Sequence, residues 1–228
     1  MMLRISVVMP VLNEEAYLVG SLGALQPLRE RGCELIVADG GSRDRSVALA
    51  EPLADRVVVA PKGRAAQMNA GARQAGGDTL WFLHADTRPP PDAPELIRAA
   101  LARPDRGWGR FDVRLSGSRP ALRVVERAMN LRSRLTGIAT GDQGIFVRRE
   151  LFERIGGYPP IALMEDIALS RALKCHGRPV CLRRRVLTSS RRWERDGVAR
   201  TILLMWRLRL AYFCGADPDR LARIYYRL

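Results

Sequence analysis

Short apolar runs alternate along the chain with segments whose apolar residues recur at helical spacing. The first run, Ile5-Ser6-Val7-Val8-Met9-Pro10-Val11, reads as a strand buried on both faces. Asn13, Glu14 and Glu15 then open a segment in which Leu18, Leu22 and Leu25 repeat every three or four residues, as on one side of a helix. Residues 34–38 form a second buried strand. It ends at Asp39 and a Gly40-Gly41 turn, where Ser42 is placed to cap the next helix with Asp44 in its first turn. A third strand at 56–59 and a helix over 63–75, stopped by Gly76-Gly77-Asp78, follow. A fourth strand at 79–83 leads into His84-Ala85-Asp86, and Pro89-Pro90-Pro91 precedes a helix around 96–101. Beyond it the pattern is less regular, with strands at 108–115 and 144–147 and helices at 119–134, 150–155, 165–176 and 198–213.

Four strand–helix alternations in the first hundred residues predict an α/β fold: a mostly parallel sheet flanked by helices. Ligands of such sheets gather at the carboxyl ends of the strands. Pro10 to Glu14, Asp39 and His84 to Asp86 all fall at such ends. No internal repeat or low-complexity linker divides the chain, so residues 1–228 read as one domain.

Hydrophobic residues at 47% and aromatics at 6% exclude a disordered chain and a bundle of membrane spans. Arg207 and Arg209 interrupt the apolar segment 198–213 far short of the ~20 residues a spanning helix needs. Met1-Met2-Leu3-Arg4 runs straight into a strand pattern without the regions of a signal peptide, which predicts a cytoplasmic protein. Cys33, Cys175, Cys181 and Cys214 form no C-x-x-C pair and read as reduced thiols.

The net charge is +14, and Lys62 and Lys174 are the only lysines. Such an arginine excess suits a diphosphate ligand, an anionic membrane or nucleic acid, and equally a bias of composition without function. A nucleic-acid module would cluster its basic residues with stacking aromatics. Here the arginines are spread along the chain, which counts against that partner. Segments 119–134 and 198–213 combine apolar residues with arginine. Such helices either lie on an anionic bilayer as a peripheral contact or pack on the domain or a second subunit.

Several acids are placed for chemistry. Asp86 follows a buried strand and is suited to hold a divalent metal that neutralises a leaving diphosphate, or simply to cap the next turn. Asp39 is suited to accept a hydrogen bond from a base or ribose, or is a plain turn acid. Glu165 and Asp166 open a helix, either as first-turn acids or with one of them as a general base. His84 stands beside Asp86, as a metal ligand or a ribose contact, whereas His176 ends a helix before Gly177 and reads as a capping residue.

Taken in order, these segments resemble glycosyltransferase family 2, inverting enzymes of GT-A fold, over residues 5–193. Val8-Met9-Pro10-Val11-Leu12-Asn13-Glu14-Glu15 is similar to the family's first strand and nucleotide loop, and Ala38-Asp39-Gly40-Gly41-Ser42 to its second strand end. Lys62-Gly63-Arg64 resembles the stretch before the metal motif, and Phe82-Leu83-His84-Ala85-Asp86 stands where the family has D-x-D. Gly141-Asp142-Gln143-Gly144 and Met164-Glu165-Asp166 resemble the acceptor region and the E-D pair, and Arg191-Arg192-Trp193 a shortened R-W element.

The resemblance implies a sugar nucleotide as donor, a UDP-sugar foremost, contacted by Pro10, Asn13, Glu14, Asp39, Arg64 and His84. It implies Mg²⁺ or Mn²⁺ on Asp86, and Asp166 as the base that deprotonates an unidentified acceptor hydroxyl. Glu165, Gly141, Asp142, Gln143, Arg192 and Trp193 fall on the acceptor or diphosphate side. On this scheme residues up to about 115 bind nucleotide, 116–193 form the acceptor half and 194–228 a helical appendage similar to that of a small soluble bacterial subgroup. One departure stands out: the first acid of D-x-D is His84. A sugar-phosphate nucleotidyltransferase or a Rossmann dehydrogenase would want a glycine-rich loop after the first strand, and residues 11–15 contain no glycine.

Overall fold

β1 (Ile5–Val11) lies inside the sheet because its side chains, Pro10 apart, are buried on both faces. The structure, a computed structural model, describes residues 3–226, so Met1, Met2 and the last two residues of the predicted appendage lie outside the described residues. β1 pairs in parallel with β2 (Glu34–Asp39) and with β4 (Thr79–Phe82), and β3 (Arg56–Val59) extends the parallel set beyond β2. β6 (Phe146–Arg148) runs antiparallel between β4 and β5 (Trp108–Leu115). β7 (Val180–Thr188) closes the edge, parallel to β5. The order among the described residues is β3-β2-β1-β4-β6-β5-β7. The chain leaves β1 toward β2 on one side and returns to β4 on the other, so the order reverses between β1 and β4. That reversal opens a crevice at their carboxyl ends.

Helices cover both faces: α1 (Glu15–Gly23), α2 (Gln26–Glu30), α3 (Ser46–Ala50), α4 (Arg64–Gln74), α5 (Ala93–Ala100) and α6 (Pro120–Thr136), then α7 (Arg149–Arg154) and α8 (Glu165–Lys174). On one face Leu18, Leu22, Trp81, Ile97 and Phe111 share a core with the inward side of β1. On the other, Val8, Met68, Phe82, Tyr158 and Leu169 form a second. α4 lies so close to β1 that a Cβ on Gly71 would come 2.5 Å from Val8 Cγ1, so only glycine fits there. After β7 come α9 (Arg191–Asp196), α10 (Val198–Phe213) and α11 (Pro218–Tyr226).

Three local expectations change. The first helix begins at Glu15, two residues late, because Asn13 takes a left-handed backbone (φ 53°), and Leu25 falls in the turn between α1 and α2. Ser42 caps no helix. Its N–H is drawn to Asp39 and its hydroxyl accepts from Asn13 N, so α3 starts at Ser46, held by Asp44 from outside the helix. β7 was not evident in the sequence because Arg183, Arg184 and Arg185 break its apolar pattern. They are exposed, as an edge strand permits.

Candidate functional site

A cavity of about 1220 Å³ opens at the carboxyl ends of β1 and β4. Its floor is the end of β1, with Pro10, Val11 and Glu14. Gln67 of α4 holds this floor, donating its buried amide to Val11 O (2.7 Å) and Ala38 O (2.9 Å), and so clamps the ends of β1 and β2 together. Asn13 and Asp39 serve the loops behind it. Asn13 Oδ1 accepts from Arg43 N (2.8 Å), and one Asp39 oxygen accepts from Gly41 N (2.9 Å) and Ser42 N (3.0 Å). Neither side chain is among those lining the cavity, and the Asp39 carboxylate is engaged by the turn that follows β2. Arg64, at the start of α4 after the left-handed Gly63, forms a side wall with Lys62.

His84 and Asp86 line the wall after β4. His84 is mostly enclosed, and its Nδ1 lies 3.3 Å from Asp142 Oδ1. Burial opposes charge on both groups, but their mutual hydrogen bond prevails: it raises the His84 pKa and holds the Asp142 carboxyl below its usual range. Asp86 faces Arg191, whose Nη2 is 3.8 Å from Asp86 Oδ2 and 3.8 Å from Glu14 Oε2. The same guanidinium lies 3.9 Å from the centre of the Tyr17 ring. Burial raises the Glu14 pKa, Arg191 opposes that rise, and Asp86 adds to it.

The far wall comes from the C-terminal helices. Arg192 lies over the Tyr225 ring at 3.5 Å and donates to Tyr225 O at 2.9 Å. Trp193, Arg195, Arg223 and Tyr226 complete this side. No sequence motif marks the residues of α11 as functional. The signal available was the amphipathic spacing of Leu221 and Tyr225, four residues apart, in a segment that reads as an appendage.

Behind the cavity, Gly141, Asp142 and Gln143 form a short 3₁₀ turn. Asp142 lines the cavity, whereas Gln143 is fully buried and accepts from Thr140 N through its own Oε1. Asp166 is half-buried at the start of α8. Its Oδ2 accepts from Gly141 N at 2.9 Å and its Oδ1 from Ile167 N at 2.7 Å. Glu165 is buried. Burial raises both carboxyls, and the Asp166 charge raises Glu165 further. Neither lines the cavity itself; Asp166 holds the N–H of Gly141, the residue before the cavity-lining Asp142.

The cavity thus gathers Pro10, Glu14, Arg64, His84, Asp86, Asp142, Arg192 and Trp193, and leaves Asn13, Asp39, Gly141, Gln143, Glu165 and Asp166 in its supports. Among the described residues no group of three or more His, Cys, Asp or Glu side chains forms a metal cage. With His84 engaged by Asp142, Asp86 remains as the carboxylate after β4, beside Glu14. That donor set fits Mg²⁺ or Mn²⁺ only as an ion shared with ligand oxygens and water. No helix among the described residues is long and apolar enough to cross a membrane.

Comparison with known proteins follows the same outline. The chain is 38% identical over 162 residues to the undecaprenyl-phosphate 4-deoxy-4-formamido-L-arabinose transferase of Pseudomonas paraeruginosa, covering 63% of this chain and 46% of that protein. It is 36% identical over 91 residues to an uncharacterized glycosyltransferase of Haemophilus influenzae, with 36% of each chain covered. The chain therefore spans about half the length, or less, of these relatives. Among solved structures, residues 1–349 of S. aureus TarS superpose with a TM-score of 0.68 at 17% identity, covering 82% of this chain and 60% of that one. Glucosyl-3-phosphoglycerate synthase of Mycobacterium tuberculosis, solved with Mn²⁺, UDP and glucosyl-3-phosphoglycerate, gives 0.65 at 23% identity and covers 94% and 81%. These likenesses establish the GT-A fold. Residues 6–156 match Glycosyl transferase family 2, and the chain belongs to that family of glycosyltransferases.

Proposed function

We propose that the protein transfers a sugar from a nucleoside diphosphate donor, a UDP-sugar foremost, to an acceptor hydroxyl with inversion. The observation that carries this reading is the meeting of Glu14, Arg64, Asp86 and Arg191 in one cavity where the strand order reverses, with Asp166 bonded to the turn that carries the cavity-lining Asp142. Arg64, Arg191 and Arg192 supply the planar donors that bind phosphate oxygens in pairs. Asp86, with Glu14 near it, would hold Mg²⁺ or Mn²⁺, whose charge stabilises the departing diphosphate. The Mycobacterium tuberculosis neighbour, solved with Mn²⁺ and UDP, supports that choice.

In the transfer the acceptor oxygen forms a bond to the anomeric carbon as the bond from that carbon to the diphosphate oxygen breaks. The nucleotide leaves with the electron pair, and the hydroxyl proton passes to Asp166. The raised pKa of Asp166, caused by burial, suits a base that must accept a proton and then release it. The Pseudomonas relatives are named for undecaprenyl phosphate, which supports an acceptor carried on a membrane lipid and a protein working at a membrane surface. An ionised lipid phosphate would attack without a proton to remove, so the role of Asp166 belongs to the hydroxyl acceptor proposed here. Calorimetry against a panel of sugar nucleotides, with and without Mn²⁺, tests the reading. Binding of one nucleoside diphosphate sugar in the presence of metal is expected. Absence of binding to every member would remove the proposal.

A further inference from the structure

We infer that the outward face of α10 docks on an anionic lipid bilayer. α10 is apolar on two sides. Leu204, Met205, Leu208, Ala211 and Tyr212 pack inward against Leu163, Met164 and Ile167 and against Leu221 and Ala222 of α11. Leu203, Trp206, Leu210 and Phe213 are spaced three, four and three residues apart and so share another side of the helix. They are 63%, 69%, 67% and 56% exposed. A helix resting on a domain needs one apolar stripe, and its other face is ordinarily polar. Apart from the Arg171 guanidinium 6.0 Å from the centre of the Phe213 ring, the second stripe is left to solvent, which costs the monomer solubility.

The borders of the stripe identify what covers it. Arg207 stands between Leu203 and Leu210 on one edge, with Arg200 seven residues before it. Arg209 stands between Trp206 and Phe213 on the other. α10 contains no acidic residue, and none of these three arginines forms a salt bridge among the described residues. Tryptophan, phenylalanine and leucine bordered by arginine match the chemistry of an interfacial helix on anionic headgroups. A second copy of the chain would bring the same unpaired arginines against these across a twofold axis, whereas a bilayer supplies the opposite charge. α6, which joins α10 through Met129 and Ile202 in one cluster, carries an exposed stripe of its own in Val124, Leu131 and Leu135.

α11, packed on the inner side of α10, lines the cavity through Tyr225 and Tyr226. Docking would thus put α10 between the lipid surface and the cavity-lining α11. The inference rests on the proposed transfer to a lipid-borne acceptor for its purpose only, because vesicle binding is measured without any sugar donor. The full chain is sedimented with phosphatidylcholine vesicles, with and without phosphatidylglycerol, at low and high salt. Cosedimentation with the anionic vesicles, weakened by salt and accompanied by a blue shift of Trp206 fluorescence, is expected. W206S/L210S should reduce the bound fraction about tenfold or more, and R200Q/R207Q should reduce it on anionic vesicles, with melting curves unchanged for both.

A wild-type protein that stays in the supernatant at low salt overturns the inference, as does cosedimentation that W206S/L210S leaves intact. A dimer in sedimentation equilibrium that W206S/L210S dissolves, in a protein that ignores vesicles, makes the stripe a self-interface and also overturns it. Donor calorimetry on the same samples keeps the two readings apart. Donor binding without vesicle binding removes the lipid surface alone, and vesicle binding without donor binding removes the transferase reading alone.

Discussion

His84 and Asp142 meet at 3.3 Å, and this contact joins the segment after β4 to the 3₁₀ turn whose Gly141 N–H holds Asp166. Gly141 is the hinge of the arrangement. A Cβ there would sit 2.5 Å from His84 Cε1 and closer still to Nε2, so the imidazole would have to leave Asp142 or the turn would have to leave Asp166. Gly141→Ala is therefore expected to fold with a near-normal melting temperature and to lose turnover about tenfold or more, since small displacements of positioned groups are costly. A variant with full activity, measured beside its melting curve, would show that this turn does not set the geometry.

The same pair gives a signed pH dependence. The His84 pKa is raised above the usual 6.5 of an imidazole, so its contribution to stability is complete below about pH 6.5 and is lost as pH rises through the folded value. Asp142 is lowered beneath 3.8, so its contribution is present above about pH 4 and is lost as pH falls through the folded value. The pair stabilises most between those limits. The difference in melting temperature between wild type and Asp142→Asn should be largest near pH 5–6 and shrink by pH 9. The His84 resonance should titrate above pH 6.5 in the wild type and at lower pH in the variant. An unchanged His84 titration in Asp142→Asn would refute the coupling.

The parallel half of the fold was legible because β1, β2 and β4 are buried on both faces and so read as unbroken apolar runs. β7 was hidden by its three exposed arginines, and α11 by standing outside the stretch that resembles the family. The site was legible to the extent that strand ends define it. Glu14, Asp86 and Arg64 reach the cavity from where sequence order places them. Asp39 and Asn13 do not, because a short acid or amide beside a Gly-Gly turn satisfies nearby backbone N–H groups as readily as a ligand. Periodicity finds elements, but it carries no information on whether a polar side chain turns toward a neighbouring loop or toward a cavity.

Arg191 lies between Glu14 and Asp86, the two carboxylates proposed to hold a divalent cation. With no protein cage among the described residues, Mn²⁺ alone should bind weakly, and UDP should strengthen it by supplying oxygens. Asp86→Ala should abolish the metal-dependent part of nucleotide binding, and His84→Ala should weaken it less because the imidazole is held by Asp142. Arg191→Ala removes a competing cation, so nucleotide-free Mn²⁺ affinity should rise while UDP affinity falls. Calorimetry of metal, nucleotide and both together separates these effects. Turnover indifferent to EDTA would end the metal's role.

Asp166 is the proposed base, although Glu165 and Asp142 are carboxylates of the same neighbourhood. Glu165 is more deeply buried than the half-buried Asp166, and Asp142 is held ionised and engaged by His84, which makes it a poor proton acceptor. Asp166 is raised by burial and held by two backbone N–H groups, one of them on the turn that carries the cavity-lining Asp142. A base must be deprotonated to act, so raising its pKa moves the acid limb of turnover upward. The limb should lie above the ~4 of an ordinary carboxylate, with the rate rising as pH climbs through it. Asp166→Asn should keep its fold and donor affinity and lose turnover by ~10²–10⁴-fold. Glu165→Gln should retain most of its turnover. It should also be more stable than wild type at pH 8, because the raised Glu165 carboxyl loses stability as pH rises through its folded value. Donor calorimetry beside sugar transfer to an acceptor distinguishes the three. If Asp142→Asn keeps donor binding yet loses transfer while Asp166→Asn transfers at the wild-type rate, the proton goes to Asp142, and the contact with His84 is the means of tuning that base.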